Sequence, residues 1–310
     1  MTIIFFGSDK FAYTHLQALW ETGYGIAACV TKADRPVGRG MKVTHSPIKE
    51  FALKVNIPLW QPEDLKDAAF QEKLRKTQSD LFVVIAYGKL LPEEVLKIPR
   101  IAAINVHASL LPQYRGAAPI NWAIINGEKV TGISIIKMGP KMDEGDIIVR
   151  EKIDIDPEDT AITLKEKMSH LGAKILQRAI DSLDKNDYTL LSQDSRLASW
   201  APKLTKAMGQ IAWDQKAADI HNLARGLLPW PSAYTYFNGR LLKLLKTEVI
   251  QENFLNKLPG EIISIQKEGV LVAAQEGAVL IKEVHFESSK PMPAYSFALG
   301  HNVKAGEILK

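Results

Sequence analysis

Short apolar runs alternate with stretches of spaced apolar residues through the first half of the chain. Residues 2–6 are a continuous apolar run, 9–22 carry spaced apolar residues, and 25–31 are apolar again. Ser46-Pro47 opens a candidate helix over 46–55, with Ser as N-cap and Pro in the first turn. Residues 62–76 predict another helix, Leu81–Ile85 a fully apolar strand, 101–106 a strand, 117–126 a helix and Thr131–Lys137 a strand. Short apolar strands alternating with helices predict an α/β fold with a mostly parallel sheet covered on both faces. The clearest helix spans 160–184, where Leu164, Met168, Leu171, Ile175 and Ala179 recur every three or four residues.

The pattern then changes. Residues 190–206 are polar and irregular, contain Pro202, Lys203, Thr205 and Lys206, and read as a surface linker. Residues 214–227 predict one more helix. Short strand-like runs follow at 232–238, 240–248, 260–266, 269–274 and 277–286, separated by Asn238-Gly239, Pro259-Gly260, Glu268-Gly269 and Glu276-Gly277. Several short strands with tight turns predict a small antiparallel barrel. The expected organisation is a first domain over 1–189, a linker over 190–206 and a second domain over 207–310. No internal repeat or low-complexity tract interrupts it.

Composition sets limits on this picture. A length of 310 residues suits two domains. At 46 % hydrophobic and 24 % charged residues the chain is neither disordered nor collagen-like. The longest apolar run, Leu81 to Tyr87, is far short of the roughly 20 residues that span a bilayer. The N-terminus runs straight into Ile3-Ile4-Phe5-Phe6 and reads as a first strand rather than a targeting segment. Cys29 is the only cysteine, which excludes an intramolecular disulfide and a Cys-based zinc site and points to a reducing, cytoplasmic compartment. It lies in the apolar run 26–30 and reads as a buried structural thiol.

The net charge of +4 is too mild to imply a nucleic-acid partner by itself. Its distribution says more. Residues 1–190 carry 25 basic and 24 acidic residues, whereas 191–310 carry 14 and 11. A small barrel with a positive excess fits oligonucleotide binding, and equally fits an ordinary charged surface.

Three stretches carry candidate chemistry. The first is Asn105 to Ile120, which starts at the end of an apolar strand, where open parallel sheets bind ligands. Asn105 and His107 are two apart and project to one side of a strand. An uncharged amide donor beside an imidazole can stabilise an oxyanion and manage a proton; as a bare tripeptide the pair can also be purely structural. The second is Met138 to Asp146, following the strand 131–137. Here Asp143 can orient His107. Glu144 or Asp146 can do so instead, or all three can be turn residues. One His among scattered carboxylates is poor metal-ligand spacing, so no metal is expected. The third is Lys32 to Lys42, with four basic residues against one acidic, made mobile by Gly38 and Gly40. Such a loop suits phosphate contact or is simply solvated. Gly7-Ser8-Asp9-Lys10-Phe11-Ala12 is not the Gly-x-Gly-x-x-Gly fingerprint, so a dinucleotide-dependent dehydrogenase is not supported.

Taken in order, several segments resemble the methionyl-tRNA formyltransferase family over essentially the whole chain. They are Phe5-Phe6-Gly7-Ser8, the Asp34 to Gly40 loop, Ala86-Tyr87-Gly88 with Leu91-Pro92, and the Asn105 to Ile120 block. Met142 to Asp146, Ala201 to Thr205 and Pro229-Trp230-Pro231 complete the set. The resemblance implies a formyltransferase Rossmann-like domain followed by a smaller OB-like β-barrel. It implies formyl transfer from the co-substrate 10-formyltetrahydrofolate to the α-amino group of initiator methionyl-tRNA, with no metal and no membrane, by a monomer. Asn105, His107 and Asp143 take the family's catalytic positions. Ser109, Leu110, Leu111 and Pro112, with Tyr87 and Gly88, take the folate contacts. Lys32, Arg35, Arg39 and Lys42, with Lys203 and Lys206, take the tRNA contacts. The family usually reads Leu-Asp-Thr-Gly-Asp where this chain has Met142-Asp143-Glu144-Gly145-Asp146, so the Asp is kept and Glu144 adds a carboxylate beside it. Two other readings remain open. One is a formyltransferase acting on an amino sugar nucleotide or purine precursor; the other is a folate- or RNA-binding module without catalysis.

Overall fold

The computed structural model of the chain describes residues 1–37, 42–252, 254 and 256–310. Two units divide it. The first takes Met1–Gly116, Thr131–Ile153 and Lys165–Ala201; the second takes Ala117–Val130, Asp154–Leu164 and Pro202–Lys310.

The chain opens with β1 (Thr2–Gly7), α1 (Lys10–Glu21) and β2 (Gly25–Val30). A short hairpin of β3 (Arg35–Val37) and β4 (Lys42–Thr44) follows, then α2 (Pro47–Lys54) and β5 (Leu59–Trp60). Next come α3 (Ala68–Lys76), β6 (Leu81–Ile85), α4 (Glu93–Leu96), β7 (Ala102–His107) and β8 (Arg115–Gly116). After α5 (Pro119–Ile125) the chain forms β9 (Val130–Lys137), β10 (Ile147–Asp154), α6 (Ala161–Asp184) and β11 (Trp200–Ala201).

The first unit is built on a seven-stranded sheet in the order β10-β9-β7-β6-β1-β2-β5. β1, β2, β5, β6 and β7 pair in parallel, and β9 runs antiparallel to β7. Every residue of β6 is buried, the sign of a strand covered on both faces. Ser46 caps α2 by accepting the Lys49 N–H at 3.1 Å, ahead of the Pro in the first turn. α3 starts six residues later than the apolar spacing predicts. The Asp67 carboxylate accepts the N–H groups of Ala69 and Phe70 at 3.3 and 3.2 Å, which fixes the helix start there.

The second unit continues with α7 (Ala217–Gly226) and then β12 (Ala233–Phe237), β13 (Arg240–Ile250), β14 (Ile262–Gln266), β15 (Gly269–Ala273), β16 (Ala278–Phe286), β17 (Met292–Pro293) and α8 (Ala294–Gly300). The sheet runs β12-β13-β16-β15-β14, with β17 added to β16, and all of its pairings are antiparallel. Its inner face buries Leu242, Leu244, Val270, Val272, Val279 and Ile281 against Ile220 and Phe297. Residues 306–310 bond to both outer strands. Tyr236 and Lys310 exchange backbone bonds at 2.7 and 3.1 Å. Near β14, Leu309 N–H donates to Gly260 O at 2.9 Å, and Ile262 N–H to Glu307 O at 2.8 Å. The two edges of the sheet thus meet through this segment, the barrel-like closure that the short strands predict.

Candidate active site

β7 leaves the core with two polar side chains, Asn105 and His107. Two residues apart on an extended strand, they share a face. Asn105 lies opposite Val84 of β6 and Ile136 of β9, and His107 opposite Ser134. His107 is 5 % exposed. Its Nε2 lies 2.9 Å from the Tyr114 carbonyl, which only accepts, so Nε2 carries a proton. Its Nδ1 faces Asp143 Oδ1 at 3.5 Å. Asn105 Nδ2 donates toward the same oxygen at 3.5 Å, and the Gly116 N–H donates to Asp143 Oδ2 at 2.9 Å. An amide donor, an imidazole and a carboxylate therefore converge beside the end of β7. With Nε2 given to the Tyr114 carbonyl, Nδ1 is the ring atom left to exchange a proton beside Asp143, and Asn105 Nδ2 is the uncharged donor next to it.

Asp143 arrives from an unexpected direction. Because β9 is antiparallel, its last residue Lys137 pairs with Ile104 rather than with the end of β7. The turn 138–146 starts there and returns Asp143 across the face that Asn105 and His107 share. It closes with the Lys137 N–H donating to the Asp146 carbonyl at 2.9 Å. Gly145 seats the turn, since a Cβ there would stand 1.8 Å from the Lys137 carbonyl oxygen. Asp143 itself has φ +55°, in the left-handed region that L-residues adopt at a cost.

Several side chains hold this turn that the sequence pattern does not single out. Arg115 is 2 % exposed, and its Nη1 lies 3.2 Å from Glu144 Oε1. Its Nε and Nη2 donate to Gln193 Oε1 at 3.1 and 2.8 Å. Gln193 Nε2 in turn donates to the carbonyls of Asp143 and Gly145 at 2.8 and 2.7 Å. Gln193 belongs to the stretch read as a linker, where nothing separates it from ordinary polar surface. Further along, β11 pairs in parallel with β8, and Ser199 accepts the N–H groups of Tyr114 and Arg115 at 2.9 Å each. Gly116, at φ +122°, lets those backbones approach: a Cβ would meet the Ala201 carbonyl oxygen at 2.7 Å.

Of the three carboxylates in this turn, Asp143 is the one facing His107. Glu144 is matched by Arg115 and, at 3.5 Å, by Lys141; Asp146 accepts the Ser192 hydroxyl at 2.9 Å. Ser109 and Leu111 are buried, with Leu110 and Pro112 half-buried. Ser134 ties the segment to β9 by accepting the Leu111 N–H at 3.0 Å and donating to the Ser109 carbonyl at 2.7 Å. Tyr87 packs edge-on against Phe6, and its buried hydroxyl has no partner among the described residues; burial pushes that phenol up to about 12. Gly88 follows it, with the Lys32 ammonium lying over its Cα. Arg35 and Lys42 sit in the β3–β4 hairpin, while Arg39 lies outside the described residues. At the base of the hairpin, Lys49 at 2.5 Å and then Gln61 hold the Asp34 carboxyl down at about 2. Lys203 and Lys206 are exposed in the second unit. Cys29 is fully buried, and burial pushes its thiol up to about 12. Among the described residues no group of three or more His, Cys, Asp or Glu could hold a metal ion, and no helix is long and apolar enough to cross a membrane.

Sheet, turn and polar set define a class. Residues 1–180 match the family described as formyl transferase, and residues 203–302 match the formyl transferase C-terminal domain. A methionyl-tRNA formyltransferase of Acetivibrio thermocellus is 45 % identical over 309 residues, spanning 100 % of this chain and 99 % of that protein. One from Caldanaerobacter subterraneus subsp. tengcongensis is 44 % identical over 311 residues and 100 % of both. The chain belongs to the methionyl-tRNA formyltransferase family. Among solved structures, WlaRD, a sugar 3N-formyl transferase determined in the presence of dTDP and 5-N-formyl-THF, superposes with a TM-score of 0.69. At 20 % identity over 94 % of this chain and 99 % of that one, it shows a shared fold.

Proposed function

We propose that the chain transfers the formyl group of 10-formyltetrahydrofolate to the α-amino group of methionine on initiator methionyl-tRNA. The observation that carries this reading is full-length likeness, at 44–45 % identity, to relatives bearing that activity's name. In this reading the unprotonated methionyl amine attacks the formyl carbon, and a new C–N bond forms as charge develops on the formyl oxygen. Asn105 Nδ2 and protonated His107 donate to that oxygen. Asp143 holds His107 and takes the proton released by the attacking nitrogen. The bond from carbon to the folate nitrogen breaks as that nitrogen takes the proton Asp143 received from the amine, leaving tetrahydrofolate and formyl-methionyl-tRNA. The proton count closes without a metal or a covalent enzyme intermediate.

The folate donor lies, in this proposal, along Ser109 to Pro112 and the backbone of Tyr87-Gly88. A formyl-folate in the WlaRD structure supports that choice of donor. The tRNA lies against Lys32, Arg35, Arg39 and Lys42 and against Lys203 and Lys206. The chain works as a monomer in the cytoplasm. The test is transfer of labelled formyl from 10-formyltetrahydrofolate to methionyl initiator tRNA, with elongator methionyl-tRNA and a dTDP-linked amino sugar as competing acceptors. Fast labelling of the initiator tRNA is expected. Labelling of the amino sugar with none on tRNA would overturn the reading.

A further inference from the structure

The turn that presents Asp143 is gripped from outside by two side chains. Residues 143, 144 and 145 are each held by one of them. Gln193 takes the carbonyls of Asp143 and Gly145 at 2.8 and 2.7 Å, and buried Arg115 takes the Glu144 carboxylate at 3.2 Å. Arg115 also fixes the grip itself, donating twice to the Gln193 amide oxygen. The guanidinium removes the choice of amide orientation, since Gln193 must present its oxygen to Arg115 and its NH₂ to the turn. Asp143 meanwhile sits in a left-handed conformation that persists only where its surroundings over-determine it.

We infer that Gln193, locked by Arg115, is a positioning residue for the formyl transfer: it holds Asp143 at the distance where its carboxylate reaches both Asn105 and His107. The inference rests on the assignment of Asp143 as the proton acceptor. Among the described residues the Gln193 amide bonds to Arg115, Asp143 and Gly145 and to none of Ser109–Pro112, so it acts on the chemical step rather than on binding. It also makes residues 190–201 part of the catalytic apparatus, though they read as a linker.

The experiment compares Gln193→Ala, Gln193→Glu and Asp143→Ala with the double variant Gln193→Ala/Asp143→Ala in steady-state formyl transfer. Circular dichroism melting checks that each is folded. A displacement of about 1 Å costs on the order of 100-fold in rate, so Gln193→Ala should lower kcat roughly 10- to 100-fold with the KM for either substrate little changed. Gln193→Glu keeps the volume and the Arg115 contact but turns a carboxylate oxygen on two carbonyls, so it should fall as far. In the double variant the Gln193 change should add nothing to the loss from Asp143→Ala, because residues that act as a unit are not additive. A wild-type kcat in Gln193→Glu, a loss confined to KM, or losses that multiply in the double variant would each overturn the inference. The wild-type rate in the same assay tests the functional reading separately.

Discussion

His107 and Asp143 divide the proton work in the proposed reaction, and single substitutions separate them from mere scaffolding. His107→Ala or Asp143→Ala should lower single-turnover formyl transfer by roughly 10²–10⁴-fold while leaving the protein folded. Near wild-type turnover in either variant would remove that residue from the chemistry. A different histidine governs acid stability. His15 is fully buried on α1, with Nδ1 bonded to the Phe11 carbonyl at 2.8 Å and Nε2 without a partner among the described residues. Burial pushes its pKa down from 6.5 to about 4, so the folded chain keeps it neutral while the unfolded chain takes up a proton. Stability is therefore full above pH 6.5 and is lost as pH falls toward 4, by about 2 kcal/mol between pH 7 and 4.5. Urea unfolding of His15→Leu should show that much less pH dependence than wild type. These residues differ in legibility. Asn105 and His107, two apart on a strand, imply a shared face by spacing, whereas spacing leaves Asp143 level with Glu144 and Asp146 and only the family resemblance singles it out. Neither signal marks Gln193, because an amide that bonds to backbone carbonyls leaves no pattern in the sequence around it.

At the scale of elements, the strands and the mostly parallel pairing of the first sheet are readable, and the reversal at β9 is not. The apolar runs place β1, β2, β6, β7 and β9 within a residue or two of their observed limits. Periodicity says nothing of whether β9 runs with or against β7, and that direction decides how Asp143 reaches its partners. β10 escapes the pattern because its apolar start, Ile147–Val149, runs into the charged Arg150–Lys152 and most of it stays partly exposed at the edge of the sheet. The short pairing of β8 with β11 escapes it because two residues carry no period. That pairing is testable. Gly116→Ala should force β11 away from β8, costing about 1–3 kcal/mol as overpacking does, and lower kcat because the Gly116 N–H holds Asp143. Unchanged melting and turnover would show that the approach tolerates a side chain. Deleting residues 306–310 removes five backbone bonds to Tyr236, Gly260 and Ile262, each contributing about 1 kcal/mol, and bares the edges of β12 and β14. The deletion should lower the melting temperature and promote aggregation; a soluble variant melting as wild type would show that the edges need no cover.

For the whole molecule, the two units are not two consecutive lengths of chain. The second recruits residues 117–130 and 154–164 from within the region matched to the formyl transferase family. α5 packs on α7 within that unit, with Asn121 Nδ2 donating to the Gly226 carbonyl at 2.7 Å. A fragment beginning at residue 203 therefore lacks a helix of its own core, a division that composition and turn signals do not reveal. The net charge of +4 is likewise an average over uneven parts. Over residues 32–42 of the sequence four basic residues stand against one acidic, and that one, Asp34, is paired with Lys49 from outside the stretch. Arg39→Ala should weaken binding of methionyl-tRNA and flatten its log–log salt dependence by about 0.7–0.9, the share of one phosphate contact. A change confined to folate affinity would place the loop elsewhere.

The closure of the second sheet through residues 306–310 also orders events on the ribosome. β12 is complete at Phe237, yet the partner for its outer edge, Lys310, is made long afterwards. At about 5–20 residues per second that interval is roughly 4–15 s. During it the first strand of the sheet waits with an open edge beside a growing chain. Nascent second units are then exposed to mispairing throughout that interval, and a translational pause between residues 237 and 310 would lengthen the hazard where a pause before it would not.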